Sequence, residues 1–427
     1  MVLDGNDIVT AASKNAFPSA QTIAAPRDDL FAGPASNERV RILLVPGFVV
    51  DTYSEIERSY VELSAQASSR VEYIWLVPPI TATSAFAKPV NRGQLAEPAY
   101  VPHLRAAGIR YVVGSVSKFN VVANLRLFRR IFSEYQIDAV YTHFGYERFW
   151  ATFCARALGI TTIWNEHWHS LGRRYATLKR VFYRLCVDDF ISISHFITST
   201  LPHNSDVHTV RNAIPSTSPA PLTGRQRYEL RTRLCIPPEK KVVLMVAAFR
   251  TEKRHFLALD ICTRVLQRHE DVVFVFPGGG GLRKEVISAA KNRGLADRIV
   301  APGHADNISE YYAVADVTML TSLNEPFGYV VLEAMRYGLP MVAFDNGGPA
   351  EIIKHGETGF LIAEGATDQF ADALLELLGD ETLCARLGDS ARSLALREYS
   401  REAWMQQLDR VLQAIVSRRR ALRNRAA

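Results

Sequence analysis

Two doubly wound α/β units in tandem, with an interdomain cleft at the carboxyl ends of their parallel sheets, are what this 427-residue sequence predicts. Three observations carry that expectation. The length is about three times the roughly 150 residues of one domain, so a single core is not expected. Short runs of Val, Ile and Leu alternate with helical patterns, as they do where parallel strands are buried on both faces. A proline-rich stretch between 212 and 240 breaks both periodicities, and the alternation restarts after it.

In chain order, residues 1–37 are polar and rich in Ala, Ser, Asn and Pro, which predicts a loosely ordered leader. The first unit, 38–214, carries the strand-sized runs RILLV (41–45), EYIWLV (72–77), RYVV (110–113), DAVYTH (138–143), TTIWN (161–165) and FISIS (190–194). Between them Val121, Leu125, Phe128 and Phe132 fall on one stripe of a helix. Pro215, Pro219, Pro221, Pro237 and Pro238 place the linker at 215–240. The second unit, 241–400, repeats the pattern with KVVLMVAA (241–248), DVVFVF (271–276), DVTML (316–320) and PMVAF (340–344). Over 401–427 an amphipathic helix with Trp404, Leu408, Val411, Leu412 and Ile415 runs into a basic tail.

Composition narrows the function classes. Hydrophobic residues make up 48% and charged residues 22% of the chain, which excludes a largely disordered protein. No apolar run approaches the roughly 18 residues of a membrane span. The net charge of +6 suggests nucleic acid only until it is located: seven arginines against Glu402 and Asp409 put +5 of it in residues 401–427. No nucleic-acid partner is therefore expected. The five cysteines form no C-x-x-C pair and no secretion-type leader opens the chain, so a reducing, cytoplasmic compartment is expected. The basic tail, with Arg126, Arg129 and Arg130, leaves room for a peripheral contact with anionic lipid.

The chemistry concentrates in TSLNEPFGYVVLEAMRYGLPMVAF (321–344). A strand enters a loop holding Asn324, Glu325, Pro326, Phe327 and Gly328, and a helix follows from about Tyr329 to Tyr337. A helix start at a strand's carboxyl end offers free N–H groups and a positive dipole end, which suits phosphate. Gly328 lets a ligand approach the backbone, with Tyr329 and Val330 in the first turn. Glu333 lies inside that helix, where a carboxylate accepts from ribose hydroxyls.

Here the sequence resembles the retaining glycosyltransferases of family 4, whose two Rossmann-like domains make the GT-B architecture. Their signature, E-x-F-G-x-x-x-x-E, stands as Glu325-Pro-Phe-Gly-Tyr-Val-Val-Leu-Glu333. The resemblance covers about residues 38–400. It implies that Arg250 and Lys253 in VAAFRTEKRH (246–255) clamp the donor diphosphate, that His167 in WNEHWHS (164–170) contacts the transferred sugar, and that Glu351 holds structure. His143, also directly after a strand, and Gly47 are its candidate acceptor or sugar contacts. The four glycines 278–281 read as a sharp strand-to-helix turn. One departure is that the family's Gly-Gly loop after the first strand is here VPGFVV (45–50), with Gly47 alone.

The resemblance implies a nucleotide-diphosphate sugar donor (UDP- or GDP-linked), a hydroxyl acceptor, and retention of configuration. No cofactor or metal is expected, because side-chain cations take the place of a D-x-D metal loop. Gly47 alone does not make the G-x-G-x-x-G of a nicotinamide oxidoreductase. Glu325 and Glu333, on the order of 12 Å apart if helical, do not make the roughly 5 Å pair of a retaining hydrolase. The remaining alternative is a catalytically silent nucleotide-sugar-binding protein.

Overall fold

The structure, a computed structural model, describes residues 39–47, 55–67, 70–78, 98–167, 176–201, 206–215, 217–305 and 307–426. The leader expected over 1–37 lies outside them, as do 48–54 and 168–170.

Seven parallel strands make the first sheet: β1 (Val40–Val45), β2 (Val71–Val77), β3 (Tyr111–Val113), β4 (Ala139–Thr142), β5 (Thr161–Glu166), β6 (Asp189–Ser192) and β7 (Asp206–Thr209), in the order β3-β2-β1-β4-β5-β6-β7. Six make the second: β8 (Lys241–Leu244), β9 (Val272–Pro277), β10 (Ile299–Gly303), β11 (Val317–Leu320), β12 (Met341–Phe344) and β13 (Gly359–Ile362), in the order β10-β9-β8-β11-β12-β13. Each order reverses direction once, between β1 and β4 and between β8 and β11. Loops leaving neighbouring strands at such a point diverge to opposite faces, and the crevice left between them at the carboxyl ends is where ligands bind in open α/β sheets.

Both sheets are covered on both faces. Ile42, Leu44, Trp75 and Tyr141 meet Trp404, Leu408, Leu412 and Ile415 on one side of the first, while Leu43, Ile74 and Val140 meet Phe128, Ile131 and Cys154 on the other. Val242, Leu244 and Val275 face Val331, Leu332 and Met335 on one side of the second, and Val243, Phe274 and Phe276 face Leu259, Val265 and Phe370 on the other. This two-sided burial is the reason the strand sequences read as continuous apolar runs. At about 1.5–3 kcal/mol for each large side chain fully buried, the four residues of the final helix explain why the chain returns to its first half.

Several expectations need correcting. The stripe on the helix Val121–Tyr135 is Asn124, Phe128, Ile131 and Phe132, and Val121 is exposed. Asn124 takes the core position because its amide satisfies the loop below it, accepting from Ser117 N and donating to Ser117 O, both at 2.8 Å. Within the expected linker 215–240, the helix Gly224–Arg233 packs on the second unit. Its Arg231, almost fully buried, donates to Asp316 at 2.8 Å and to Val314 O at 2.7 Å. The two passages of the chain between the units run side by side, with Ile214 N donating to Tyr399 O at 2.9 Å.

The expected basic tail is not a loose one. The helix Arg401–Ala426 is continuous, and Arg418 and Arg419 pair with Asp189, Arg420 with Asp138, while Arg423 donates to Thr161 at 2.8 Å. Burial pushes the Asp189 carboxyl up, but His208, Arg419 and Arg418 outweigh it and hold the group below its ordinary value. Four of the tail's guanidinium groups are thus spent on the amino-terminal ends of the first sheet, and the lipid contact expected from them loses that support. Among the described residues, no helix is long and apolar enough to cross a membrane.

Candidate active site

The switch point of the second sheet collects the charged residues. After β8 the chain makes a single turn, Thr251–Lys253, and Arg254 takes a left-handed conformation (φ 56°) that separates this turn from the helix His255–Leu266. After β11 it enters the loop 321–328. The two loops are tied together: Leu323 N donates to Glu252 O at 2.8 Å, and Thr321 Oγ1 donates to Lys253 O at 2.8 Å. Tethered so, the ammonium of Lys253 meets the carboxylate of Glu325. Arg250 stands apart, with its side chain 59% exposed and Glu252 at 3.6 Å. Arg254, which sequence reasoning passed over, pairs with Glu364 and lies 5.4 Å over the Phe344 ring.

The Glu loop is held from beneath by the turn Asn346–Gly348. Gly348 N donates to Glu325 O at 2.8 Å, and Asn346 Oδ1 accepts from Asn324 N at 3.1 Å. A Cβ on Gly348 would fall on the Phe327 backbone, so no other residue fits there. Phe327 is buried, Tyr329 and Val330 are half-buried, and Gly328 (φ 99°) begins the helix Tyr329–Arg336 with no side chain capping it. Left-handed backbone at Gly328 is what aims the first turn's amides out of the loop. Glu333 sits one turn in and accepts a hydrogen bond from Tyr312 Oη at 2.7 Å. Gly278 and Gly280 lie where a Cβ would strike the backbone of Ala247 and Phe249, a packing role.

The switch point of the first sheet collects imidazoles instead. His143 follows β4 and His167 follows β5, adjacent parallel strands in which Thr142 pairs with Trp164, so His143 comes level with Asn165 and His167 lies two residues beyond, on the same face. His143 Nδ1 and His167 Nε2 are 3.1 Å apart, which requires one ring to donate and the other to accept. Burial, then the charge of Arg148, lowers the His167 pKa from 6.5 to about 3, and burial lowers His143 well below its ordinary value. Both rings are neutral at pH 7. Gly47 (φ 58°), after β1, packs so that a Cβ would fall on the Phe144 carbonyl, and the Phe144 ring stacks on His167 at 4.5 Å.

Sequence reasoning missed the support of this pair. Asn165 Nδ2 donates to Tyr60 Oη at 2.9 Å and Tyr141 Oη at 2.7 Å, and both tyrosine rings meet His143 edge-on within 4.6 Å. Arg148 donates to His143 O at 2.8 Å and lies 4.3 Å over Trp164. The available signal was alternation: Tyr141 and His143 share one face of a strand, as do Asn165 and His167.

The two halves also touch. Ser194 Oγ donates to Pro326 O at 2.6 Å, inside the Glu loop. Glu351 accepts from His195 N at 2.9 Å and Phe196 N at 2.6 Å, so a carboxylate of the second unit caps a short helix of the first. Ile197 packs in one cluster with Phe327 and Tyr399.

Residues 226–394 match the family described as glycosyl transferases group 1. N-acetyl-alpha-D-glucosaminyl L-malate synthase of Bacillus anthracis is 30% identical over 208 residues, 49% of this chain and 54% of that protein. Alpha-D-kanosaminyltransferase of Streptomyces kanamyceticus is 31% identical over 188 residues, 44% of this chain and 48% of that one. The chain spans about half the length of these curated relatives. Among solved structures, a glycosyltransferase from Rickettsia africae ESF-5 superposes with a TM-score of 0.71 at 16% identity, covering 89% of this chain and 99% of that one. Anabaena Alr3699/HepE in complex with UDP and glucose gives 0.69 at 18%, covering 88% and 100%. At these identities the likeness is one of fold, and the fold is GT-B.

Proposed function

For a chain whose residues 226–394 match the group 1 glycosyl transferases, we propose a retaining glycosyltransferase that moves a hexose-type sugar from a nucleoside-diphosphate donor to a hydroxyl acceptor. The observation that carries this is the meeting of Lys253 with Glu325 at one switch point, beside a helix start led by Gly328 and followed by Glu333. A nucleotide sugar needs three things of such a place: acceptors for ribose, donors for phosphate, and a cation where charge builds.

Glu333 takes the ribose hydroxyls. The backbone from Gly328 to Val330 takes phosphate oxygens, where the helix dipole favours negative charge. The sugar's C1–O bond breaks with its electron pair passing to the diphosphate, and Lys253, with Arg250 moving in, stabilises that charge. Donor entry then separates Lys253 from Glu325 and turns the carboxylate toward the sugar. The acceptor hydroxyl attacks C1 on the face the diphosphate leaves, and its proton passes to the departing phosphate oxygen. Neutral His167, with His143 behind it, hydrogen-bonds the sugar without adding charge to that wall, and Gly47 borders the acceptor side. We read the diphosphate as neutralised by side chains without a metal ion.

The protein is read as cytoplasmic, consistent with five free cysteines. A peripheral lipid contact rests on Arg126, Arg129 and Arg130 of an exposed helix face beside Val122 and Phe119. Acceptor candidates are glycans, lipid-linked sugars and small molecules.

The test is donor hydrolysis and transfer over a panel of UDP- and GDP-sugars, UDP first because the Anabaena neighbour was solved with UDP. An α-linked product from an α-linked donor is expected by NMR. A β-linked product removes retention. Binding without turnover of any donor leaves the silent binding protein as the answer.

A further inference from the structure

Glu333 is the carboxylate expected to hold the ribose, and its position is fixed from outside its own helix. Tyr312 belongs to the helix Ile308–Val314, which precedes β11, and gives its hydroxyl to Glu333 Oε2 at 2.7 Å. The same hydroxyl lies 3.4 Å from Val330 O, in the first turn that faces phosphate. The Tyr312 ring is 2% exposed and stacks on Tyr337 at 5.5 Å, so its direction is set by packing on both elements. Burial, reinforced by Glu333, raises the phenol well above its ordinary 10, so it remains a donor at any working pH. A phenol has one proton to give, and a carboxylate has about four acceptor sites. The bond therefore pins one oxygen of Glu333 and uses one of those sites.

We propose that Tyr312 is a positioning residue for nucleotide recognition: it holds the Glu333 carboxylate in the orientation that accepts ribose hydroxyls, and so sets how strongly the site prefers a ribonucleotide. This rests on Glu333 being the ribose ligand. A long Glu side chain free to rotate loses entropy when it binds, and an outside hydrogen bond removes that cost before the ligand arrives. Tyr312 touches no reacting atom, so its effect falls on donor affinity and not on the rate from the bound complex.

The experiment is calorimetric titration of the full chain with UDP and GDP and with their 2′,3′-dideoxy counterparts, for wild type, Tyr312→Phe, Glu333→Ala and the double variant. Phe keeps the stacked ring. Tyr312→Phe is expected to lose about tenfold in affinity for the ribose form, the size of one hydrogen bond to a charged group. It should lose nothing for the dideoxy form, keep its turnover at saturating donor, and cost nothing further once Glu333 is Ala. Equal losses for both ligands, or an equal loss in the Glu333→Ala background, overturn the inference, since a purely structural role would act that way. No loss for either ligand does the same. Wild-type protein that binds ribose and dideoxy forms equally overturns the assignment of Glu333 itself, a distinct failure.

Discussion

The two switch points of this chain are built alike and filled with opposite chemistry. In the second sheet, loops after β8 and β11 bring an ammonium and a carboxylate together at partly exposed positions. In the first, loops after β1 and β4, with the neighbouring end of β5, bring two neutral imidazoles into contact, His143 buried and His167 half-buried. On the proposed function, the difference follows from what each wall would do. Where charge develops on a leaving diphosphate, a preorganised cation lowers the barrier. Where a neutral sugar would be held, hydrogen-bonding neutral rings suffice, and the charge of Arg148 beside them is met by Glu166 at 3.7 Å.

The largest test of that contrast is Lys253→Ala. It should lower kcat by about 10²- to 10³-fold, the range for losing one charge-stabilising donor, with donor Kd little changed. Calorimetry paired with turnover rates measures both. Near-normal turnover would move the cation's role to Arg250 or to Arg254, and the charged wall would have to be redrawn around that residue.

Acid should act on the neutral wall. His143 and His167 are held neutral, and in the second unit burial, then Lys253, lowers His255 from 6.5 to about 4. The unfolded chain takes up these protons near pH 6.5 while the folded one does not. Stability is therefore full above that value and is lost as pH falls toward 4 and then 3, at about 1.4 kcal/mol per pH unit for each such group. Urea unfolding from pH 7 to pH 4.5 should show it. In the double variant His143→Asn and His167→Asn, the slope should be shallower, and an unchanged slope would mean that the pair is not what titrates.

A smaller effect is expected where the walls touch. Ser194→Ala removes the bond to Pro326 O and the cap of a short helix, so about 1 kcal/mol of unfolding free energy should go. Donor Kd should rise by about threefold if that bond steadies the Glu loop. A stability loss with donor affinity intact would show two walls that act independently. The smallest effect is a null one: EDTA should leave turnover unchanged, since no step of the proposed chemistry uses a metal ion. Loss restored by Mg²⁺ would bring a metal to the charged wall.

Legibility followed burial. The central strands of both sheets stand in the sequence as apolar runs, and the structure shifts their ends by one to a few residues. The unread strands, β7, β10 and β13, are all sheet edges, and they carry Asp206, Pro302 and Gly359 in place of a continuous run. An edge is covered on fewer sides, so its composition is less constrained. The helix within 215–240 was hidden for a related reason. Its apolar periodicity is weak, and what holds it is Arg231 and Arg227 on Asp316, 85 and 89 residues away.

What the sequence determined by itself is whatever lies within one strand, loop and helix: Glu325, Gly328 and Glu333 keep their relation because the local backbone sets it. What only the tertiary structure decided is which distant groups meet. Lys253 reaches Glu325 across 72 residues because β8 and β11 are neighbours, His143 reaches His167 because β4 and β5 are, and Tyr312 reaches Glu333 because its helix packs beside another. The arginines of the final helix show the same limit, since a run of like charges has one composition whether it faces solvent or Asp189. Periodicity records the burial of one element, whereas a long-range pair depends on strand order, which no single segment encodes.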